Sequence, residues 1–146
     1  MLFLLFQIGA GRYAIEARRV VEVLPLMRVD RVPGASAAMV CYRGEPLPVM
    51  DLSAMILDRP SLQKLSTRIL VITRADGSRL GLIAERANET LKRDPQDFVK
   101  SGVTVRDAPW LGPVTRDVRG FVQWIDPDQL PGAAPAVEAV DAVEAA

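Results

Sequence analysis

The chain has 146 residues, of which 49% are apolar, so it is long enough to form one domain or two small halves that share a core. Its 18 basic and 18 acidic residues are scattered, which excludes the clustered phosphate contacts of a duplex-DNA binder. It contains no histidine, which excludes serine–histidine and cysteine–histidine nucleophile pairs and histidine metal ligands, so we expect a protein that is not an enzyme and uses no metal or cofactor.

The first part of the chain predicts short strands and two helical segments. A strand is expected at Leu2–Ile8, followed by a turn at GAG and a shorter strand over residues 12–16. The next stretch, EARRVVEVLP, changes period and predicts a helix that ends at Pro25. The apolar residues on one face of that helix are Ala17, Val20, Val21 and Leu24. After a polar connection come the strand AAMVCY, the stretch RGEPLPVMDL and a helical turn near Leu52–Leu57.

The second part predicts a further set of short strands. Residues 67–75 are expected to form a strand that Asp76-Gly77 turns into RLGLIAERANETL, and this turn is the strongest hairpin signal of the chain. The stretch RDPQDFVKSG suits a short helix or a loop, and the last strands are expected over residues 110–116 and 119–125. Many short strands with closely spaced turns are typical of β-barrels or a β-sandwich.

The sequence repeats itself weakly when it is shifted by 67 residues. Among the identical residues are Ala17, Arg19, Glu22 and Leu24, which meet Ala84, Arg86, Glu89 and Leu91. Further matches are Arg43-Gly44 with Arg119-Gly120 and Asp51 with Asp126. We infer two related sub-barrels packed about an approximate two-fold axis. Each is too small to bury its own apolar surface, so we expect them to share a core.

This repeat sets the expected domain organisation. A single domain covers residues 1–131, with two interleaved sub-barrels whose repeat units span roughly residues 1–60 and 66–131. The last residues, 132–146, are rich in alanine, valine and acidic residues and are expected to form a flexible tail.

The stretch RGEPLPVMDL looks like a strand interrupted by two prolines. Successive backbone N–H groups of a strand point to alternate sides, so Pro46 and Pro48 remove two donors from the same edge. This spacing predicts an edge strand that cannot pair freely on that side. Gly44 lets the chain bend before the strand and places Arg43 where its guanidinium can reach a carboxylate. These features indicate a surface prepared for docking.

The single cysteine and the apolar start indicate where the protein works. Cys41 has no disulfide partner, which predicts a reducing compartment, and without a neighbouring base it is expected to be a small core residue. The run MLFLLFQIG lacks the basic flank of a secretory signal and is too short for a membrane span, so we interpret it as a buried strand. No basic run suited to acidic membranes is present. We expect a cytoplasmic protein without direct membrane contact.

Several short motifs occur in an order that is characteristic of one family. They are Tyr13-x-Ile15, Val20-x-Glu22-Val23, Arg43-Gly44, Pro48-Val49-x-Asp51-Leu52 and Gly81-Leu82-Ile83. From about residue 2 to residue 130, this pattern resembles the CheW-like coupling family of bacterial chemosensory arrays. The resemblance implies a mainly β fold with a few short helices. In that fold, two pseudo-symmetric five-stranded SH3-like sub-barrels share a hydrophobic core.

The resemblance also implies a function and partners. Members of the family are non-catalytic scaffolds that link the cytoplasmic tips of methyl-accepting chemoreceptors to the regulatory domain of a CheA-type histidine kinase in a receptor array. By the same resemblance, Glu22 and Arg43 form a salt bridge that shapes the contact surface. The predicted partner-binding residues are Glu22, Arg43, Gly44 and Asp51. The N-terminal pattern looks closest to couplers of Wsp-type surface-sensing systems, whose output is cyclic-di-GMP synthesis.

Structural roles are open alternatives for several of these residues. Glu22 could pair with Arg18 one helical turn earlier, and Asp51 could cap the helical turn that follows it. Trp110 and Trp124 are expected to pack in the core rather than to anchor a partner. The other residues expected to be mostly in the core are Val20, Val23 and Leu24.

A second class of function is a small barrel that binds an oligonucleotide or another ligand. Barrels of this size bind single strands with stacked aromatic side chains in a basic groove. The chain has only four phenylalanines, two tyrosines and two tryptophans, and its net charge is zero. We therefore expect no nucleic-acid partner, and a hydrolase that works without histidine ranks last.

Overall fold

The computed structural model describes residues 1–31, 38–62, 65–100, 102 and 108–131, and within these ranges the chain is mainly β. The strands are β1 (Leu2–Ile8), β2 (Gly11–Glu16), β3 (Val20–Pro25), β4 (Asp30–Arg31), β5 (Ala38–Tyr42), β6 (Glu45–Asp51), β7 (Arg68–Thr73), β8 (Arg79–Lys92), β9 (Leu111–Asp117) and β10 (Gly120–Ile125). The helical elements are α1 (Leu52–Leu57) and 3₁₀ turns at Ala17–Arg19, Pro95–Asp97 and Pro127–Gln129. No helix in the described ranges is long and apolar enough to cross a membrane. The predicted flexible tail, residues 132–146, lies outside the described residues.

The strands divide into two groups that share one long strand. Their hydrogen-bonded order is β4-β5-β6-β8-β1-β2-β10-β9, while β7 pairs with both β3 and β8. The first group contains β3, β7, β6, β5 and the short β4, and the second contains β1, β2, β10 and β9. The N-terminal part of β8 pairs with β7 and β6, and its C-terminal part pairs with β1. The two groups are the predicted sub-barrels, joined through β8 into one continuous network.

A left-handed residue divides β8 between the two sub-barrels. Arg86 has φ +50 and lies next to this division, because β8 pairs with β7 as far as Ala84 and with β1 from Glu85 onward, with Glu89 opposite Leu5. In the first repeat, the 3₁₀ turn after β2 has the corresponding place, and β3 then pairs with β7, with Glu22 opposite Val71. The third strand of each repeat therefore pairs with the first strand of the other repeat.

The strand registers show the repeat that the sequence predicts, with one correction. In the two strand pairs just described, Glu22 of β3 and Glu89 of β8 are 67 positions apart in the sequence. Leu5 of β1 and Val71 of β7 are 66 positions apart. A uniform shift of 67 is therefore wrong by one residue for the first strand. The reason is the length of the hairpin loop. Ile8 pairs with Gly11 across two residues, whereas the N–H of Arg74 donates to the carbonyl of Ser78 at 2.9 Å across three.

The β5–β6 and β9–β10 hairpins correspond to each other with a shift of 75 positions. This shift matches Asp51 to Asp126, as predicted. Each of these two carboxylates accepts a hydrogen bond from the N–H two residues later and begins a helical turn. The turns that correspond are Arg43-Gly44, between β5 and β6, and Val118-Arg119, between β9 and β10. The predicted match of Arg43-Gly44 with Arg119-Gly120 is therefore wrong by one position. The second hairpin places its left-handed glycine, with φ +122, after the turn rather than within it.

Three clusters of buried side chains form the core of the described residues. The first sub-barrel contains Leu24, Val40, Tyr42, Leu47, Val49, Ile69 and Val71. The second contains Phe3, Leu5, Ala14, Phe98 and Val122. The largest cluster includes Phe6, Ile15, Leu52, Leu70, Leu80, Leu82, Trp110 and Ile125, from both repeats. The expectation that the two sub-barrels share a hydrophobic core is confirmed.

The helix predicted from EARRVVEVLP is wrong. The chain makes one 3₁₀ turn at Ala17–Arg19 and continues as β3, in which Val23 is exposed and Leu24 is buried. A strand forms because β3 pairs with β7. A register shift between Val20 and Glu22 interrupts the alternation of this strand and gives its apolar residues a helix-like spacing. Val23 is therefore not a core residue.

Two further expectations about the first sub-barrel need correction. Cys41, expected in the core, is exposed, because the alternation of β5 turns it outward between two buried neighbours. Pro46 and Pro48 leave an unpaired edge only along the first residues of β6. From Val49 onward, β6 pairs in parallel with β8, so β6 is an edge strand in its first half and an inner strand in its second.

Candidate docking site

The Arg43-Gly44 turn lies at the tip of the β5–β6 hairpin. Both residues have positive φ, +52 for Arg43 and +80 for Gly44, as in a two-residue type I′ turn. This left-handed conformation costs a residue with a side chain about 1–2 kcal/mol, whereas glycine adopts it freely. A Cβ added at Gly44 would meet no atom within 4 Å, so the backbone conformation, and not a lack of space, favours glycine there.

Glu22, Tyr42 and Arg43 form an ion-paired cluster at this tip. Oε1 of Glu22 accepts a hydrogen bond from the Tyr42 hydroxyl at 2.9 Å and another from Nη2 of Arg43 at 3.0 Å. The guanidinium carbon of Arg43 lies 5.2 Å from the centre of the Tyr42 ring, a cation–π contact. The hydrogen bond from Tyr42, followed by that from Arg43, lowers the pKa of Glu22. The salt bridge implied by the family resemblance is therefore present.

This ion pair lies at the surface. The side chain of Arg43 is 66% exposed and that of Glu22 is 37% exposed. Because water screens such a pair, it contributes little to the free energy of folding and mainly orients the guanidinium. The alternative partner of Glu22, Arg18, pairs with Glu16 instead. The structure thus brings together Glu22, Arg43 and Gly44 at one exposed tip.

Asp51 lies at the other end of β6 and is held by its own neighbours. Its carboxylate accepts a hydrogen bond from the N–H of Ser53 at 3.0 Å and so caps α1, which confirms the capping interpretation. It also accepts hydrogen bonds from the N–H and the hydroxyl of Ser61, both at 2.7 Å. Asp51 therefore fixes the helix and the following loop, and it is not part of the hairpin tip.

The second sub-barrel carries a matching ion pair that the sequence analysis did not identify. Nη2 of Arg119, in the turn between β9 and β10, donates to Oε2 of Glu89 at 2.7 Å, and both side chains are exposed to a similar degree. Glu89 is the repeat counterpart of Glu22. The signal was available, because the repeat alignment placed Glu89 on Glu22 and Arg119 on Arg43.

An acidic residue takes the place of the tyrosine at this second tip. Asp117, the counterpart of Tyr42, accepts hydrogen bonds from both Nη atoms of Arg12, each at 2.7 Å. The N–H of Arg119 also donates to Asp117, at 2.8 Å. Hydrogen bonding by Arg12 is the largest cause that lowers the pKa of Asp117, to about 2. The two tips share an exposed ion pair but differ in the residue beside it, which is Tyr42 on the first and Asp117 on the second.

Exposed apolar side chains accompany both tips. On the first sub-barrel, Val21 and Val23 of β3 are exposed. On the second, Val118 is 104% exposed and Phe121 is 68% exposed, with the guanidinium of Arg116 5.9 Å from the Phe121 ring. Exposed apolar side chains among charged residues are typical of surfaces that bind other proteins.

The aromatic side chains argue against an oligonucleotide site. All eight lie in the described residues, and only Phe121 is exposed. Trp110 is buried in the shared cluster, and Trp124 packs against Phe3 and Phe98 with ring centres 4.9 Å apart in both cases. The predicted packing roles of the two tryptophans are confirmed. Stacked bases would need several exposed rings along one groove.

One protein family accounts for nearly the whole of this architecture. The model of the CheW-like domain matches residues 2–134, a span that includes both ion-paired tips. The chain belongs to the CheW-like domain family. The resemblance inferred from the Arg43-Gly44 and Asp51-Leu52 motifs is thereby confirmed, and the CheW-like fold is the one described above.

A solved structure has the same fold. The crystal structure of the scaffolding protein TtCheW from Thermoanaerobacter tengcongensis matches this chain with a TM-score of 0.74 and 17% sequence identity. The match covers 86% of this chain and 84% of that one. At this identity the likeness establishes the CheW-like architecture. No curated protein sequence matches the chain.

Proposed function

We propose that the chain is a non-catalytic adaptor that couples methyl-accepting chemoreceptors to a CheA-type histidine kinase in a bacterial chemosensory array. The observation that carries this proposal is the pair of exposed ion pairs, Glu22–Arg43 and Glu89–Arg119, one on each sub-barrel. Two docking surfaces joined through a common core can hold two partners at once. Membership of the CheW-like family supports the same role.

Each tip has its own part in this proposal. The first tip binds one partner through Glu22, Arg43 and Gly44, and the second tip binds the other. Asp51 acts indirectly, because it fixes α1 and the loop at Ser61. The partners are the regulatory domain of the kinase and the cytoplasmic tip of the receptor, so the adaptor works in the cytoplasm at the receptor array. Each contact is small, and the many contacts of the array supply avidity.

The pathway output is a separate part of the proposal. The N-terminal sequence pattern favours a Wsp-type surface-sensing system with cyclic-di-GMP as its output. Genes for a receptor and a hybrid kinase next to the gene for this chain would support that branch, and neighbouring genes for flagellar motility control would contradict it.

Charge reversal at the first tip tests the adaptor function. Arg43→Glu places a second carboxylate beside Glu22 and repels a partner that the guanidinium attracts. We expect the affinity for either the kinase domain or the receptor tip to fall about tenfold or more, while the other affinity is unchanged. Biolayer interferometry with purified domains measures both. The thermal melting curve should change little, because the ion pair is exposed.

Two matched variants control this experiment. Arg28 also forms an exposed ion pair, with Asp30, so Arg28→Glu should leave both affinities unchanged. Arg43→Gly removes the guanidinium without adding a repulsive charge and suits φ +52, so it should weaken binding less than Arg43→Glu and fold at least as stably as the unaltered chain. If the unaltered chain retains neither domain, the adaptor function is wrong. Unfolding of both Arg43 variants would make that residue structural.

A further inference from the structure

A small polar pocket opens on the second sub-barrel. Its volume is about 130 Å³, and the polar residues that line it are Gln7, Arg12, Arg86, Asn88, Glu89 and Arg119. Pockets for drug-sized ligands are several times larger, on the order of 300–1,000 Å³. This pocket has room for an oxyanion such as a carboxylate or a phosphate, but not for a nucleotide.

Only one of its three guanidiniums lacks a carboxylate partner among the described residues. Arg12 is paired with Asp117, and Arg119 is paired with Glu89. Arg86 forms no ion pair and no side-chain hydrogen bond with any other residue in the described ranges. The pocket therefore contains one positive charge that no side chain of its wall neutralises.

The backbone holds Arg86 in a conformation that glycine would adopt more easily. Its φ is +50, which costs a residue with a side chain about 1–2 kcal/mol. The register between β1 and β8 shifts between Leu5 and Gln7, next to this residue, as at a β-bulge. Such bulges redirect a side chain, and Arg86 is one of the residues that line the pocket. A strained residue whose side chain serves no core contact points to a function for that side chain.

The other repeat shows what the equivalent arginine binds. Arg19 lies 67 positions before Arg86, and its guanidinium is paired with the carboxylate of Asp128. By the shift of 75 that relates the two caps, the counterpart of Asp128 is Ser53. The hydroxyl of Ser53 donates to Glu85 at 3.2 Å. The chain thus supplies a carboxylate to Arg19, whereas the residue that corresponds to Asp128 in the other repeat is a serine, whose hydroxyl is bonded to Glu85 and not to Arg86.

From this asymmetry we propose that the pocket at Arg86 binds the carboxylate of an acidic side chain on a partner protein. The planar fork of guanidinium donors matches a carboxylate, which is also the group that Arg19 binds. Gln7 and Asn88 line the same pocket, and each has a side-chain amide that can donate to the second carboxylate oxygen.

The position of the pocket favours a protein over a free acid as the source of the carboxylate. One exposed guanidinium holds a free carboxylate only weakly. Glu89 and Arg119, the ion pair of the second tip, form part of the pocket wall. A protein seated on that tip would bring its own acidic side chain to Arg86 at high effective concentration. In this respect the inference rests on the proposed docking role of the second tip.

Nuclear magnetic resonance on the full chain tests the chemistry of the site without any partner. The probes are acetate and inorganic phosphate, with chloride as the reference at constant ionic strength. We expect the Nε–Hε resonance of Arg86 to move saturably with acetate. The resonances of Arg19, which is held by Asp128, and of Arg59, an exposed arginine outside the pocket, should move no more than with chloride.

Variants of Arg86 make this test specific. Arg86→Gln should weaken acetate binding, followed at the side-chain amides of Gln7 and Asn88, by about fivefold or more. Arg86→Lys should recover part of the loss, because it keeps the charge without the fork. If acetate moves the Nε–Hε resonance of Arg86 no more than that of Arg59, the proposed site is contradicted. Phosphate binding about tenfold tighter than acetate binding would indicate a phosphate site and overturn the carboxylate assignment.

A further pair of measurements identifies the source of the carboxylate. Glu138, Asp141 and Glu144 are acidic residues of the same chain beyond the described ranges. Replacing all three by their amides in the full chain should leave the Arg86 resonance in place, and a shift would show that the chain fills its own pocket. Arg119→Glu should lower the affinity for one of the two partner domains. Arg86→Glu should lower the affinity for that same domain by about fivefold or more.

The outcomes separate this inference from the adaptor function. If Arg86→Glu leaves the affinities for both domains unchanged, the partner carboxylate is contradicted even though the adaptor function stands. If neither domain binds the unaltered chain, the adaptor function fails. The acetate titration then still decides whether Arg86 forms a carboxylate site.

Discussion

Arg43 and Arg86 hold nearly the same left-handed conformation, with φ +52 and +50. At Arg43 the guanidinium is oriented by Glu22 and Tyr42 on an exposed tip, whereas Arg86 is one of the residues that line a pocket. Gly44 allowed the bend to be predicted from the sequence, but the positive φ of Arg43 was not predicted. Arg86 was visible only as an identity in the repeat. A positive φ within a strand leaves no mark in the sequence when the residue is not glycine.

The ion pair between Arg12 and Asp117 predicts a pH dependence of stability. The carboxyl pKa falls from 3.8 to about 2 on folding, so its stabilising contribution is fully present above pH 3.8 and is lost as the pH falls through about 2. At pH 7 we expect Asp117→Asn to lower the free energy of unfolding by about 1 kcal/mol, a value reduced for partial solvent screening. Urea denaturation between pH 7 and pH 2 measures the difference, which should shrink below pH 3.8.

The control for this prediction is Asp30→Asn. Asp30 pairs with Arg28, and both side chains are largely exposed, so this variant should match the unaltered chain at every pH. If Asp117→Asn lowered the free energy of unfolding by the same amount at every pH down to about 2, the charge of the carboxylate would not be the cause of the loss.

At the scale of elements, the sequence pattern correctly predicted elements that depend on residues close together in the chain. The hairpin at Asp76-Gly77 formed because Gly77 can adopt φ +85. The segment after β2 was predicted as a helix because its partner, β7, lies far away in sequence and a register shift hides its alternation. The bulge at Arg86 in β8 was missed for the same reason. Pairing between distant strands, and not propensity, decided these two segments.

The cap of α1 predicts a local loss of stability. Asp51→Ala removes the acceptor for the N–H of Ser53 and both hydrogen bonds of Ser61. We expect the free energy of unfolding to fall by about 1–2 kcal/mol, because capping residues contribute about this much. Chemical denaturation measures it. Ser61→Ala, which keeps the cap and loses one hydroxyl donor, should cost about 0.5–1 kcal/mol. Equal stability of Asp51→Ala and the unaltered chain would contradict the capping role.

At the scale of the whole molecule, the internal repeat was the most informative feature of the sequence. It predicted two sub-barrels with a shared core, and it contained the second ion pair, Glu89–Arg119. The sub-barrels were expected to be interleaved, but the sequence did not show which strands pair across the repeats, because pairings such as Glu22 with Val71 are encoded by no local pattern. The pairing of Glu22 with Arg43 came from the family resemblance and not from spacing.

The shared core predicts that both sub-barrels unfold together. Phe6 and Ile15 of the first repeat pack in one cluster with Leu70 and Leu80 of the second, so neither sub-barrel can lose its structure alone. Native-state hydrogen exchange should give the same opening free energy for amides of β6 and β10. Leu70→Ala should lower both values equally, by about 2–5 kcal/mol. Two separate unfolding transitions would contradict a common core.

The most direct test of the adaptor function is sedimentation of a mixture of this chain, the kinase regulatory domain and the receptor tip. We predict one species that contains all three components. Arg43→Glu should remove one partner from it and Arg119→Glu the other, because the two ion pairs lie on different sub-barrels. Displacement of one partner by the other, so that only two-component species form, would contradict the account.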